Sequence, residues 1–464
     1  MFRRFLVVAA LAAGPCVAQP VPVPDCTVDV DMSEGPKLEV VYRCRSSTPI
    51  SFQADGAHVA AHVRDLVLSE GEARYRFDLA AFAREANSTS TAVLRGGGVL
   101  AVLSSWLLEP RGYDRAPIID IRVRAADGLV FSSGLPKVGD AWRLAGANVR
   151  FAGYSVLGRL TLQDIAVPAP GSLRPGAAKE EGVLRLAILD GVSESGRADV
   201  VDWVKRTAEA QSNYWQGFTA KQMLVGLVPS SNRRAVGFGR TVSGGGATVM
   251  VEIGSDVDRR RLFNDWVLVH ELIHTGMPYV RGRATWFMEG AATYIEPIIR
   301  ARAGWKTEAE AWMEWVDNMP QGSGAFGLGL ANGSGRENYW SGATFMLMAD
   351  VAIRRATEGA RGLEDCLKGV LWSGLDAPRR VTLQDYALAC DKATGTTVMS
   401  ELVERHQSNA RPVDLAAMWR ELGISVVAGR VVLDDSAPLA PWRKTIVFGP
   451  AGQGARTVKL PWDS

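Results

Sequence analysis

Two histidines with a glutamate between them limit the possible folds of this chain more than any other residues do. His270 and His274 flank Glu271, and Glu289 follows fifteen residues after His274. Residues four apart on a helix lie one turn above each other, so both rings can bind one cation. A second helix carrying Glu289 would supply a third ligand and leave a fourth position for water. The spacing therefore predicts two helices that meet at a metal site, with zinc as the ion that these ligands favour.

A second histidine pair has the same spacing but a different context. His58 and His62 are also four residues apart, yet no glutamate lies between them and no acidic helix follows. They fall in a part of the chain that is rich in predicted strands. We interpret them as a surface pair rather than as a catalytic site.

The pattern of strands and helices changes along the chain. Residues 19–168 contain short runs of β-branched and aliphatic residues separated by turns, which predicts an N-terminal β-sandwich-like domain. Residues 169–178 are rich in Pro and Gly and predict a linker. Residues 179–425 are first mixed and then mainly helical, and residues 426–464 form a strand-like tail. The predicted fold class is therefore a multidomain α+β protein.

The first 18 residues have the order of a signal peptide. Arg3 and Arg4 precede an apolar run at residues 5–13 and then a segment of small residues. Cleavage after Ala18 would export the protein to the periplasm or the extracellular space. No later apolar run approaches the roughly 20 residues that span a bilayer, and the net charge of +2 gives no sign of a nucleic-acid partner. We expect an exported protein with neither a membrane span nor a nucleic-acid site.

Four cysteines remain after removal of this segment. They are Cys26, Cys44, Cys366 and Cys390. An oxidising compartment favours two disulfides, for which three connectivities exist. The local pairs, Cys26 with Cys44 and Cys366 with Cys390, are favoured because each falls within one predicted domain. Each would close a loop of about 20 residues and stabilise the fold by about 3 kcal/mol.

The residues after the histidines carry a resemblance to a known family. Trp286, Glu289 and Gly290 form a Trp-x-x-Glu-Gly element, and Tyr339 with Gly342 forms a Tyr-x-x-Gly element. With the His-Glu-x-x-His word, these residues resemble the gluzincin metallopeptidases, in particular the aminopeptidase N and glycyl aminopeptidase groups. The resemblance covers about residues 180–360. It implies a thermolysin-like α+β catalytic domain behind an N-terminal β-domain.

The resemblance also implies a role for each residue of the site. His270, His274 and Glu289 would bind one zinc ion per chain. Glu271 would take a proton from the attacking water and pass it to the leaving amine. Tyr339 would stabilise the oxyanion that forms on the substrate carbonyl. The implied activity is hydrolysis of peptide bonds in a peptide or protein substrate.

Several alternatives stay open from the residues alone. Glu296, in place of Glu289, could be the third ligand, and Tyr339 could be an ordinary core tyrosine. The alternative function is that of a non-catalytic binding or scaffold protein that retains a peptidase-like fold. A zinc hydrolase with a non-peptide substrate is a third possibility.

The segment before the histidine helix departs from the aminopeptidase pattern. In those enzymes a strand at this place carries a glutamate that binds the free amine of the substrate, whereas residues 237–247 contain no acidic side chain. Gly244, Gly245 and Gly246 would let a substrate backbone approach an edge strand, although a mobile loop explains these glycines nearly as well. The sequence therefore leaves open whether cleavage is internal or terminal.

Overall fold

The computed structural model describes residues 22–231 and 235–449. The predicted signal peptide lies outside the described residues. No helix in the described ranges is both long enough and apolar enough to cross a membrane.

Alternating side chains fold the N-terminal part into two packed sheets. In the first strand every second residue is buried, as expected of a strand with one face against a core. The strands are β1 (Cys26–Met32), β2 (Lys37–Cys44), β3 (Ser51–Gln53), β4 (Val63–Ser69), β5 (Glu72–Asp78), β6 (Ala92–Arg95), β7 (Gly98–Val102), β8 (Glu109–Arg111), β9 (Ile119–Ala125), β10 (Val130–Ser133), β11 (Lys137–Val138), β12 (Ala141–Leu144) and β13 (Tyr154–Gly158). Two helices accompany them, α1 (Ala57–Ala60) and α2 (Leu79–Ala86).

The two sheets enclose one apolar core. The larger sheet has the strand order β11-β12-β9-β1-β2-β5-β4, and the smaller has the order β10-β13-β7-β6. Val28 and Val40 of the larger sheet and Val99 and Leu157 of the smaller sheet belong to the same buried cluster. The N-terminal part is therefore a β-sandwich.

A third sheet begins earlier in the chain than the sequence suggested. Its strands are β14 (Thr161–Pro168), β15 (Glu181–Ile188), β16 (Gln222–Ser230), β17 (Val236–Val242) and β18 (Ala247–Gly254), in the order β14-β15-β16-β18-β17. β15, β16 and β18 are parallel, while β14 and β17 are antiparallel edge strands. Because β14 pairs with β15 along its whole length, residues 169–180 join two paired strands. Residues 161–168 therefore pair with the strand that follows the predicted linker.

Helices dominate the rest of the chain. They are α3 (Glu194–Trp215), α4 (Arg259–Asn264), α5 (Val267–His274), α6 (Thr285–Arg302), α7 (Glu308–Asn318), α8 (Ser323–Phe326), α9 (Glu337–Ala356), α10 (Leu363–Trp372), α11 (Leu383–Thr394), α12 (Val398–His406), α13 (Leu415–Leu422) and α14 (Ala440–Phe448). Two short strand pairs lie among them: β19 (Tyr279–Val280) with β20 (Arg380–Val381), and β21 (Ile424–Val427) with β22 (Arg430–Leu433). The expected strand-like tail thus includes helix α14 beside its hairpin. The predicted fold class, multidomain α+β with a helical C-terminal half, is confirmed.

The smaller sheet of the sandwich packs directly on the third sheet. Leu100 and Val156 on its outer face form a fully buried cluster with Leu224 of β16 and Met250 of β18. Leu100 lies where a side chain at Gly226 would otherwise be. The two domains therefore share an apolar interface.

The cysteines are joined in the two local pairs. Cys26 on β1 is bonded to Cys44 on β2, and Cys366 on α10 is bonded to Cys390 on α11. Each bond links two elements that are already neighbours in their own domain. This pairing is compatible with an exported protein.

Candidate metal centre

Helix α5 holds both histidines in a shielded position. The helix packs through Leu268 and Leu272, which are completely buried, and this fixes its orientation beside the edge of the third sheet. His270 and His274 lie one turn apart with ring centroids 4.9 Å from each other. The His270 ring is also buried, whereas His274 remains slightly accessible. The expected helix and the shared face of the two rings are therefore present.

Helix α6 brings a carboxylate to both rings. Oε2 of Glu289 lies 3.1 Å from Nε2 of His270 and 3.5 Å from Nε2 of His274. The ligand atoms offered by the three residues all lie within 4.8 Å of one another. Two imidazole nitrogens and one carboxylate oxygen are a donor set that suits Zn²⁺ with one position left open. The residues present therefore fit a zinc ion.

The charges at this centre are strongly coupled. Burial alone would raise the pKa of the Glu289 carboxyl, but His274 and His270 hold that pKa well below its usual range. Burial likewise disfavours the charged form of His274, yet the adjacent Glu289 carboxylate raises the pKa of His274 above its ordinary value. A carboxylate that stays ionised is the form that binds a cation.

Two glycines allow the helix that carries Glu289 to touch the helix that carries Tyr339. A Cβ atom at Gly342 of α9 would lie 2.6 Å from Cα of Gly290 and would overlap the carbonyl oxygen of Trp286. Helices α6 and α9 therefore cross with their backbones in contact, and a side chain at either glycine would separate them. Because Gly290 follows Glu289 and Gly342 lies three residues after Tyr339, this crossing places both functional side chains at one site.

Replacement of Gly342 with alanine should push α6 and α9 apart. We expect the free energy of unfolding to fall by about 1–3 kcal/mol, as is typical of overpacking, and kcat/KM to fall because Tyr339 moves away from Glu289. Urea unfolding and peptide hydrolysis measure the two effects. Gly327→Ala is the control, since Gly327 is exposed and its added Cβ would meet only the Gly324 carbonyl oxygen, at 3.2 Å. Equal stability and activity in Gly342→Ala and wild type would contradict the proposed role of the crossing.

Glu271 faces the edge strand β17 and has a partner that the sequence did not reveal. The Thr241 hydroxyl lies 2.8 Å from Oε2 of Glu271 and can donate to it. The strand passes so close that a Cβ at Gly239 would lie 2.6 Å from Cγ of Glu271. The strand thus positions the carboxylate beside the metal centre.

Tyr339 lies against one of the two histidines. Its ring stacks on that of His270 with centroids 5.8 Å apart, and it is near enough to Glu289 for that carboxylate to act on its hydroxyl. Burial raises the pKa of Tyr339, and the charges of Glu289 and Glu271 raise it further. The tyrosine therefore keeps its proton and can act as a hydrogen-bond donor.

The rival carboxylate and the second histidine pair lie away from this centre. The buried side chain of Glu296 makes an ion pair of 2.8 Å with Arg300 instead of facing the histidines. His62 lies 3.0 Å from Glu85 in the N-terminal domain, and His58 stacks on Phe82. In the described ranges, His270, His274 and Glu289 form the one group of three or more His, Cys, Asp or Glu side chains that could hold a metal ion.

The three glycines proposed for substrate binding lie in a turn between β17 and β18. Gly245 and Gly246 are buried against the sandwich, where added Cβ atoms would overlap Leu144 and the carbonyl oxygen of Gly134, and Gly244 lies against Phe151. The close approach that these glycines permit is therefore to the N-terminal domain. The edge strand itself ends at Val242.

The chain matches no protein-family model and no curated protein sequence at a significant level. Among solved structures, it is similar to an aminopeptidase N family protein from Idiomarina loihiensis, with a TM-score of 0.59 and 14% identity over 86% of this chain and 78% of that one. A weaker similarity is to Legionella pneumophila aminopeptidase A in complex with aspartic acid, with a TM-score of 0.48 and 10% identity over 83% of this chain and 49% of that one. Another is to a mutant two-domain M1 zinc metallopeptidase bound to L-arginine, with a TM-score of 0.45 and 13% identity over 84% of this chain and 95% of that one. The first similarity shows that this chain has the fold of an aminopeptidase N family protein.

Proposed function

We propose that this protein is an exported, zinc-dependent peptidase that hydrolyses peptide bonds in peptide or protein substrates. His270, His274 and Glu289 would hold the zinc ion, and the observation that carries the proposal is the convergence of their ligand atoms. Glu271 and Tyr339 lie close enough to this group for their charge and hydrogen bonding to act on it. A binding or scaffold protein would need neither residue.

Each side chain has one chemical task in this proposal. A bound zinc ion supplies Lewis-acid chemistry, which polarises a carbonyl and lowers the pKa of a water molecule. Glu271 accepts the proton of the attacking water and then delivers it to the nitrogen of the leaving amine. Thr241 holds the Glu271 carboxylate in place through its hydroxyl. The Tyr339 hydroxyl donates a hydrogen bond to the carbonyl oxygen as negative charge develops there.

The edge strand supplies a surface for an extended substrate. β17 lies at the end of the third sheet beside Glu271, where a peptide backbone can add as a further strand. The strand contains no acidic side chain. A substrate would therefore be held here through its backbone rather than through its free amine.

Removal of the metal tests the proposal. The mature protein purified without chelators should contain about one zinc ion per chain and should cleave members of a peptide library. A chelator such as 1,10-phenanthroline should abolish cleavage, and added Zn²⁺ should restore it. Undiminished cleavage by the metal-free protein would exclude the proposal. Bound zinc without cleavage of any peptide would favour the binding protein or a hydrolase with another substrate.

A further inference from the structure

A polar pocket opens where helix α6 begins. Its volume is about 400 Å³, and we call it the α6 pocket. The residues that matter here are Arg283, Thr285, Trp286, Asn332 and Asn338. The only charged side chain on the described residues that line it is that of Arg283, and none is acidic.

Unused hydrogen-bond donors surround this pocket. Arg283 is exposed and gives one N–H to Oδ1 of Asn332, at 3.2 Å, which leaves its other N–H groups available. Helix α6 spans 18 residues and has neither a side-chain cap nor an acidic residue in its first turn. The positive end of this helix dipole is therefore uncompensated.

Two buried side chains in the wall of the pocket also lack partners. Nε1 of Trp286 and Oδ1 of Asn338 have no hydrogen-bond partner among the described residues. Both side chains are shielded from water, since Trp286 is 1% exposed and Asn338 is 9% exposed. An indole N–H is only a donor, and a buried polar atom without a partner is costly. A ligand with acceptor oxygens would satisfy the indole but not the Asn338 oxygen, which is itself an acceptor.

The acidic side chain that precedes Asn338 in the sequence turns away from the pocket. Glu337 lies in the first turn of α9, but its Oε1 lies near Gly324, 2.5 Å from where a Cβ of that residue would be. Gly324 is not part of the pocket wall. The charge that faces the pocket is therefore positive.

Two residues of the pocket wall are near neighbours, along their helices, of the proposed reacting groups. Trp286 precedes Glu289 by three residues on α6, which corresponds to about 4.5 Å along the helix axis, and Asn338 directly precedes Tyr339. An extended peptide advances about 3.3–3.6 Å per residue. On this scale, a ligand group held beside Trp286 would lie one to two residues from a peptide bond held beside Glu289.

We propose that the α6 pocket binds a carboxylate of the peptide substrate. This inference rests on the proposed peptidase function and names its substrate class: peptides that carry a carboxylate one or two residues from the bond that is cleaved. The carboxylate would belong either to the C-terminus of a short peptide or to an acidic side chain. It would anchor the substrate in a protein whose edge strand has no acidic residue for the free amine.

Matched peptides test this proposal by binding, independently of turnover. A short peptide that the wild type cleaves is labelled and made in four forms: with a free C-terminus, with a C-terminal amide, and with Asp or Asn near the cleavage point. Dissociation constants are measured on zinc-loaded Glu271→Gln protein by fluorescence anisotropy. We expect one acid form to bind about tenfold more tightly than its neutral partner. The pair that differs identifies the source of the carboxylate.

Two arginine variants show where the carboxylate binds. Arg283→Gln in the Glu271→Gln background should remove the difference between the acid and neutral forms, whereas Arg281→Gln should retain it. Arg281 is an equally exposed arginine two residues away that does not line the pocket. Equal binding of acid and neutral peptides, or a difference that survives in Arg283→Gln, would overturn the proposal. Failure of the wild type to cleave any library peptide would instead remove the proposed function, and this inference with it.

Discussion

Replacement of Glu271 with glutamine should lower kcat about 10³-fold while about one zinc ion stays bound per chain. Glutamine has nearly the same shape and can still accept the hydrogen bond that Thr241 donates to Glu271. It cannot accept a proton from the attacking water, so the loss should fall on kcat rather than on KM. Stopped-time peptide hydrolysis and metal analysis of the same preparation measure both quantities.

The same chemical change elsewhere provides the control for this variant. Glu404 is exposed, and no hydrogen bond or ion pair of its side chain is described, so Glu404→Gln should be as active as wild type. A Glu271→Gln variant that keeps more than about a tenth of the wild-type kcat would mean that another group removes the proton. Loss of zinc in this variant would mean that Glu271 helps to hold the metal.

Replacement of Glu289 with alanine should abolish both zinc binding and hydrolysis. The carboxylate supplies one of three ligand atoms that lie within 4.8 Å of each other, and two histidines alone bind zinc far more weakly. The buried rings of His270 and His274 also lose the negative charge that favours their present arrangement. Metal content after dialysis and cleavage of the library peptides are the measurements.

The rival carboxylate on the same helix serves as the comparison. Glu296→Gln can still accept the hydrogen bond from Arg300 and should retain zinc and activity, even if the loss of the buried ion pair costs stability. The opposite result, with zinc retained in Glu289→Ala and lost in Glu296→Gln, would reassign the third ligand. Loss of zinc in both variants, with folded protein in each, would show that α6 as a whole is sensitive to substitution.

Local spacing explains why the main parts of this site could be predicted from the sequence. The four-residue interval between His270 and His274 fixes their shared face as soon as the segment is helical, and the structure has that helix. The Trp-x-x-Glu-Gly and Tyr-x-x-Gly elements contain the two glycines at which α6 and α9 cross. The α+β fold class was therefore predictable, whereas the catalytic roles of Glu271 and Tyr339 stay predictions.

Features that depend on distant partners could not be read in this way. Thr241 contacts Glu271, which lies 30 positions later in the sequence, and no sequence motif around Thr241 predicts that contact. Residues 161–168 have the composition of a strand, but composition does not say which of two sheets a strand joins. Three successive glycines predict close approach of the backbone without naming the partner, and the structure places them against the sandwich.

The contact between the sandwich and the edge strand means that the two domains must be engineered together. Arg240 of β17 donates to the carbonyl oxygen of Ser90, at 2.9 Å, and the adjacent glycine turn packs on the sandwich wall. A fragment that began at residue 160 would expose Leu224 and Met250 to water and would remove the contact of Arg240 from the strand that carries Thr241. Transfer of such a fragment to another protein would therefore carry over the proposed metal ligands without the sandwich wall that supports the strand beside Glu271.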